Sequence, residues 1–86
     1  MEKTLYSEEN VVFCRLLREL RVGAGLTQTQ LAEALDEPQS NVSRVEVGQR
    51  RLDLLELRQW LRPLGVSAAE FVARLEERLA RGGGAD

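Results

Sequence analysis

The stretch from Thr27 to Gly48, TQTQLAEALDEPQSNVSRVEVG, constrains the fold of this chain more than any other segment. It predicts two short helices joined by a tight turn. Thr27 followed three residues later by Gln30 is a capping-box pattern, so a helix is predicted to begin there and to run to Leu35. Pro38 then interrupts the pattern. A proline pushes the residue before it out of the α region and suits the first turn of a new helix.

The second helix of this pair is unusually polar. We predict that it runs from Gln39 to Val47, with Gly48 as the left-handed residue that follows it. Only Val42 and Val45 are placed to be buried, and most other positions carry side chains that form hydrogen bonds. Packing alone explains such a helix poorly. The pattern therefore favours a helix whose outer face binds something polar.

Apolar residues spaced three and four positions apart predict three further helices. Helix 1 begins at Ser7 and runs to about Val22, with Phe13, Leu16, Leu17 and Leu20 on its apolar face. Helix 4 and helix 5 are each predicted to open at a further capping box. These boxes are Asp53 with Glu56 and Ser67 with Glu70.

The apolar faces of helices 4 and 5 supply the rest of the predicted core. For helix 4 the buried stripe consists of Leu54, Leu57, Trp60, Leu61 and Leu64. We expect Trp60 in the core because it shares that stripe. Pro63 is expected to kink or end helix 4, and Gly65 to follow it as the C-terminal glycine. For helix 5 the apolar residues are Phe71, Val72, Leu75 and Leu79.

The chain is therefore predicted to be all-α, a single domain of five helices. Eighty-six residues suffice for one small domain, and with 43% hydrophobic but only 5% aromatic residues its core must be mostly Leu, Val and Ala. We expect residues 1–7 to form a flexible N-terminal arm, residues 8–80 the domain and residues 81–86, with three glycines, a flexible tail.

Several classes of function are disfavoured. The sequence has no run of about 18 apolar residues and no secretory signal pattern, so a cytoplasmic protein that does not enter the membrane is expected. There are no histidines and no glycine-rich phosphate loop, and Cys14 has no partner base. We expect no metal, no cofactor and no enzymatic activity. Cys14 is interpreted as a small buried hydrophobe.

Charge is distributed unevenly. The formal net charge of −2 does not indicate a nucleic-acid partner. Residues 38–62, however, contain five arginines against three acids, whereas residues 1–10 contain one lysine against three acids. The positive charge is thus concentrated around the polar helix, which modestly favours an anionic partner.

Four segments together resemble a known family, the phage-repressor and Cro-like helix-turn-helix domains of the XRE type. They are LRELR at residues 17–21, GLTQTQLAEAL at 25–35, NVSRVEVGQRR at 41–51 and LGVSAAEF at 64–71. The resemblance covers roughly residues 12–75 without an insertion. The spacing between the segments is more specific than any one of them. The resemblance implies a lambda-repressor-like fold that binds double-stranded DNA, with helix 3 in the major groove.

The resemblance also implies roles for individual residues. The expected base contacts are made by helix 3, where arginine suits guanine and glutamine suits adenine. These residues are Gln39, Ser40, Arg44, Asn41 and Ser43. Contacts to the DNA backbone are expected from Thr27, Gln28, Arg50 and Arg51.

One pair of charged residues is expected to be structural. Arg21 and Glu46 match family positions that form an ion pair between helix 1 and helix 3, so Glu46 is not expected to contact a base. The sequence departs from the family at Asp36, where glycine is usual, and at Pro38, where a Ser or Thr cap is usual. Asp tolerates the left-handed conformation, so the turn is expected to survive. Asp36 and Glu37 also place negative charge close to the expected DNA face, which is expected to weaken non-specific binding.

A single recognition helix reads about four or five base pairs, and proteins of this type bind paired half-sites as dimers. We therefore expect a homodimer. The candidate dimer surface consists of Leu52, Leu55, Val72, Leu75 and Leu79, although an apolar face covered within the chain is an equal alternative. The leading hypothesis is a small transcriptional repressor. The alternatives are an antitoxin whose helix 5 binds a toxin or another protein partner, and a protein-interaction module that does not bind DNA.

Overall fold

In a computed structural model, residues 7–82 are described, and within them the chain forms five α-helices. They are α1 (Glu8–Gly23), α2 (Gln28–Leu35), α3 (Gln39–Glu46), α4 (Leu54–Leu61) and α5 (Ala68–Ala80). The predicted all-α class is confirmed. Most of the predicted arm (residues 1–6) and tail (residues 83–86) lies outside the described residues. Within residues 7–82, no helix is both long enough and apolar enough to cross a membrane.

Four of the five helices, all but α3, begin where a side chain accepts a hydrogen bond from a free backbone N–H group. Both reciprocal capping boxes predicted at Thr27 and Asp53 are present. At α5 the prediction is only half right. The Ser67 hydroxyl accepts from the Glu70 N–H, but the Glu70 carboxylate accepts from Arg74. A cation one turn along the helix competes with the neutral backbone N–H for that carboxylate.

The turn between α2 and α3 is made by Asp36, which adopts the left-handed conformation at φ 58° and ψ 46°. As predicted, α3 begins at Gln39, directly after Pro38. Pro38 is extended, with ψ 147°, and precedes the helix as its N-cap, where it offers no side-chain hydrogen bond. At the other end of α3, Gly48 is buried and has φ 87°, as predicted.

All five helices contribute side chains to one hydrophobic core. Its fully buried side chains are Leu16, Leu17, Leu31, Val42, Val45, Leu61 and Phe71. Phe13 of α1 meets Phe71 edge to face, with ring centroids 5.5 Å apart. Trp60 is buried, as expected. Leu54 was expected in this core and instead is 62% exposed. It is the first residue of α4 and precedes the part of that helix that packs on the core.

Cys14 is buried, as the sequence predicted, and its thiol donates to the carbonyl oxygen of Val45 at 3.2 Å. Burial raises the pKa of this thiol, an effect that the nearby positive charge of Arg51 partly opposes. The thiolate is the reactive form of cysteine. Cys14 therefore serves as packing between α1 and α3.

Candidate nucleic-acid interface

The position of α3 is fixed by Arg21, a buried arginine on α1 that is 7% exposed. Its Nε donates to Glu46 Oε2 at 2.7 Å and its Nη2 to Glu46 Oε1 at 3.0 Å. Its Nη1 donates to the carbonyl oxygen of Leu26 at 2.8 Å. A planar guanidinium matches a carboxylate in this two-point geometry. One side chain thus joins α1, the loop before α2 and the last residue of α3.

A chain of hydrogen bonds leads from this ion pair to the surface. Gln28 Nε2 donates to Glu46 Oε1 at 3.0 Å, and Gln28 Oε1 accepts from Gln39 Nε2 at 2.8 Å. A carboxylate can only accept, so it holds the amide nitrogen of Gln28 and leaves the amide oxygen for Gln39. The first residues of α2 and α3 are therefore held side by side, with their amide orientations set by Glu46.

The outer face of α3 is polar and open to solvent. Val42 and Val45 are fully buried on its inner face, whereas Ser40 and Arg44 are exposed. Residues four apart share one side of a helix, so Ser40 and Arg44 lie together. Ser43 is half-buried beside them. This is the arrangement that a helix needs if it is to lie in a groove while its inner face stays packed.

Asn41 forms contacts that the sequence did not predict. Its Nδ2 donates to Glu37 Oε1 at 2.6 Å, and its Oδ1 accepts from Arg44 Nη2 at 3.3 Å. Glu37 lies in the turn and was expected only to add negative charge. No sequence signal predicts this bond, because Glu37 precedes α3 and the i, i+4 spacing of a helix does not extend across the extended Pro38.

Two of the residues expected at the DNA backbone lie at the start of α2. The Thr27 hydroxyl oxygen accepts from the Gln30 N–H at 3.0 Å, which leaves its hydrogen to be donated. Gln28 is the next residue and belongs to the chain of hydrogen bonds from Glu46. These two side chains and Gln39 are thus brought together at one edge of the α2–α3 pair.

The other two lie in the loop after α3. Arg51 is exposed, but Arg50 donates from Nη2 to Glu56 Oε2 at 2.9 Å. The hydrogen bond from the Asp53 N–H, with a further one from Arg50, holds the pKa of Glu56 below its usual value. The Arg50 guanidinium is therefore directed toward α4.

The residues of the candidate dimer surface differ in their exposure to solvent. Leu52, Leu75 and Leu79 are partly buried and line a groove of about 620 Å³ beside the start of α1. Leu55 is 67% exposed and Val72 is 42% exposed. Leu54, which the sequence assigned to the core, adds exposed apolar area next to Leu55. Among residues 7–82, no group of three or more His, Cys, Asp and Glu side chains could hold a metal ion.

Comparisons with known proteins agree with this geometry. A helix-turn-helix family model matches residues 17–71. An XRE-family like protein from Pseudomonas syringae pv. tomato str. DC3000 is 38% identical, over 80% of this chain and 84% of that chain, with a TM-score of 0.75. The chain belongs to the XRE-type helix-turn-helix family, whose members are DNA-binding transcriptional regulators and not enzymes.

The fold is also that of the restriction-modification controller protein C.Esp1396I. A point mutant of that protein superposes with a TM-score of 0.79, over 93% of this chain and 98% of that chain, at 20% identity. A second structure shows a C.Esp1396I tetramer in complex with its natural 35-base-pair operator. It covers 84% of this chain and 95% of that chain, at 22% identity and a TM-score of 0.75. No curated protein matches this chain significantly in sequence.

Proposed function

We propose that this chain binds a specific double-stranded DNA operator as a homodimer and represses transcription by occupying it. The observation that carries the proposal is the hydrogen bond between Gln28 and Gln39. It unites a residue suited to a phosphate, at the start of α2, with one suited to a base edge, at the start of α3. Both are held before any DNA arrives. The compartment in which such a protein works is the cytoplasm.

Base contacts in this proposal come from the outer face of α3. Arg44 contacts the O6 and N7 atoms of guanine. Gln39 contacts adenine through its amide oxygen and the amide N–H that is not donated to Gln28. Ser40 and Ser43 add shorter contacts to a base or a phosphate. Thr27, Gln28 and Arg51 hold the DNA backbone. Arg50 joins them by exchanging Glu56 for a phosphate oxygen, because the two are alternative acceptors for one guanidinium.

The dimer in this proposal uses exposed apolar residues at the start of α4 and on α5. Leu55 and Val72 supply the most exposed area, and Leu52, Leu75 and Leu79 continue it around the groove. Two copies would place two α3 helices about one helical turn of DNA apart. C.Esp1396I, which shares this fold, forms a tetramer in complex with its operator. The antitoxin alternative, with a different protein on α5, gains no support from the comparisons.

The test of DNA reading is selection of bound sequences from random duplex DNA. The wild-type chain should enrich one motif with two related halves. Gln39→Ala and Arg44→Ala should each relax the preference at one position per half, by about 1–3 kcal/mol. Arg62→Ala, which removes an exposed arginine after α4, is the matched control and should leave the motif unchanged. Failure of the wild-type chain to enrich any sequence would contradict the proposal.

The test of assembly is sedimentation of the free chain and of its DNA complex. The double variant Leu55→Arg, Val72→Arg should sediment as a monomer and bind the selected operator more weakly. Val22→Arg alters a comparably exposed valine at the end of α1 and should remain dimeric. Repression itself is tested by transcription in vitro from a promoter that overlaps the selected site, where added protein should lower the yield of transcript. An unchanged yield at saturating protein would exclude repression.

A further inference from the structure

The turn between α2 and α3 carries two adjacent acids that the structure treats differently. Asp36 makes the left-handed turn, and its side chain is exposed. Glu37 is fixed through its backbone, whose N–H donates to the carbonyl oxygen of Ala32 at 2.9 Å. Its carboxylate then accepts from Asn41 Nδ2 at 2.6 Å. The two acids have the same charge and neighbouring positions, but only Glu37 has this bond to α3.

Asn41 lies between two groups that together fix the orientation of its side-chain amide. A carboxylate only accepts hydrogen bonds, so the amide nitrogen must face Glu37. A guanidinium only donates, so the amide oxygen must face Arg44. The observed bonds follow this rule, with Arg44 Nη2 lying 3.3 Å from Asn41 Oδ1. Asn41 therefore transmits the position of Glu37 to Arg44.

This arrangement changes what Asn41 and Arg44 can do. An asparagine that reads adenine needs both its amide oxygen and its amide nitrogen turned toward the base. Here those two atoms point in different directions, one toward Glu37 and one toward Arg44. Arg44 uses one of its five N–H groups on Asn41 and keeps four, which still suffice for the O6 and N7 of guanine.

We propose that Glu37 is a positioning residue that, through Asn41, orients the Arg44 guanidinium toward guanine, and so sets base specificity from outside the recognition helix. This inference rests on the proposed function and names the residue that tunes it. Asn41 is then a bridge and not a base contact. A carboxylate near DNA weakens binding to any sequence, so Glu37 lowers affinity in general while it sharpens the choice of base.

The experiment uses five variants of the full chain and measures two affinities for each. They are Glu37→Ala, Glu37→Gln, Asp36→Asn, Arg44→Ala and the double variant Glu37→Ala, Arg44→Ala. One affinity is for the operator selected by the wild-type chain. The other is for the same operator altered at the base pair where Arg44→Ala loses its discrimination. Thermal unfolding of each variant checks that it is folded.

Glu37→Ala should lower the discrimination ratio at that base pair by about tenfold. Glu37→Gln keeps an acceptor oxygen for Asn41 and should retain most of the ratio. Asp36→Asn removes the same charge at a position where Asn is equally suited to the turn. It should leave the ratio unchanged while, like Glu37→Ala, it strengthens binding to random DNA. In an Arg44→Ala background, Glu37→Ala should cause no further loss.

Three results would overturn the inference. If Glu37→Ala keeps the wild-type ratio while Arg44→Ala loses it, Glu37 does not position Arg44, and the proposed function stands. If Asp36→Asn and Glu37→Ala lower the ratio equally, charge alone is responsible. If the wild-type chain selects no operator at all, the proposed function fails and the inference fails with it.

Discussion

The helices α3 and α5 are both amphipathic, but they differ in how their buried and solvent-facing side chains are held. In α3, of eight residues, two valines are fully buried and most of the outward polar side chains are held in hydrogen bonds. In α5, of thirteen residues, Phe71 alone is fully buried, while Val72 is 42% exposed. The short helix is thus fixed on both faces. The long one is held by Phe71, by the partly buried Ala68 and Leu75, and by a surface ion pair between Arg78 and Glu19.

Under the proposed function, this difference suits two kinds of partner, DNA for α3 and a second copy of the chain for α5. Polar side chains that must meet a fixed pattern of donors and acceptors gain from being oriented in advance, because less conformational freedom is lost on binding. An apolar surface needs no such preparation, since burial of apolar area does not depend on direction. The ordered hydrogen bonds of α3 and the uncovered apolar residues of α5 fit these two requirements.

The largest predicted effect comes from replacing Phe71, the one buried residue of α5. Phe71→Ala should lower the free energy of unfolding by about 3–5 kcal/mol, because the ring fills the core and meets Phe13. Loss on that scale approaches the whole stability of a small domain. Thermal unfolding followed by circular dichroism measures it. Val72→Ala, at the next position, should change stability by only about 0.5 kcal/mol, and equal losses would contradict the difference in burial.

On the α3 side, the corresponding change is Glu46→Ala. It should cost about 3 kcal/mol, because the buried Arg21 guanidinium would lose its carboxylate. Urea denaturation gives the number. The double variant Arg21→Met, Glu46→Leu leaves no charge unpaired and should be more stable than Glu46→Ala alone. If the double variant is instead the less stable of the two, the ion pair contributes more than the satisfaction of a buried charge.

A smaller effect distinguishes how the helices begin. Gln30 and Glu70 occupy equivalent third positions in α2 and α5, but only Gln30 returns a hydrogen bond to the backbone, at 2.9 Å. Gln30→Ala should therefore cost about 1 kcal/mol. Glu70→Ala removes an exposed pair with Arg74 and should cost about 0.5 kcal/mol or less. Chemical denaturation of both variants compares them, and a larger loss at Glu70 would reverse the interpretation.

The smallest predicted effect concerns the surface pair that ties α5 to α1. Arg78 donates to Glu19 at 2.6 Å, and this hydrogen bond holds the pKa of the Glu19 carboxyl below its ordinary value of 4.5. A lowered pKa in the folded state stabilises the protein above pH 4.5, and that contribution is lost as pH falls through the lowered value.

Unfolding free energies measured from pH 7 to pH 3 test this. Glu19→Gln should be slightly less stable than the wild-type chain at pH 7, and the two should converge below about pH 4.5. Arg78→Gln should give the same small loss and the same convergence. A difference that grows with acidity would have the wrong sign for this pair.

Local patterns predicted much of the fold. Capping residues and apolar spacing gave the bounds of the five helices to within about a residue, except at the end of α4, which stops at Leu61 and not beside Gly65. Errors arose where a tertiary or competing contact decided the outcome. Leu54 fits the periodicity of α4 but precedes its packed part. Glu70 fits a capping box but binds Arg74.

The candidate site was predictable in its composition and less so in its connections. Exposed polar positions on α3 follow from the places of Val42 and Val45 alone. The bond between Gln28 and Gln39 does not, because it joins residues eleven apart across a turn whose geometry the sequence leaves open. Glu37 was misjudged for a related reason. Its charge was visible in the sequence, whereas its bond to Asn41 depends on how α3 leaves the turn.

The three-way contact of Arg21 has a mechanical consequence. Because one guanidinium joins α1, the loop at Leu26 and the end of α3, the recognition helix has no hinge of its own. In the proposed complex, we expect α3 not to tilt on its own to follow a groove that differs from the one it fits. We therefore expect the adjustment to operators of differing shape to come from the DNA, which bends at an energy that depends on its sequence. The stiffness of the operator DNA would then affect its affinity for the protein, including at base pairs that the protein does not contact.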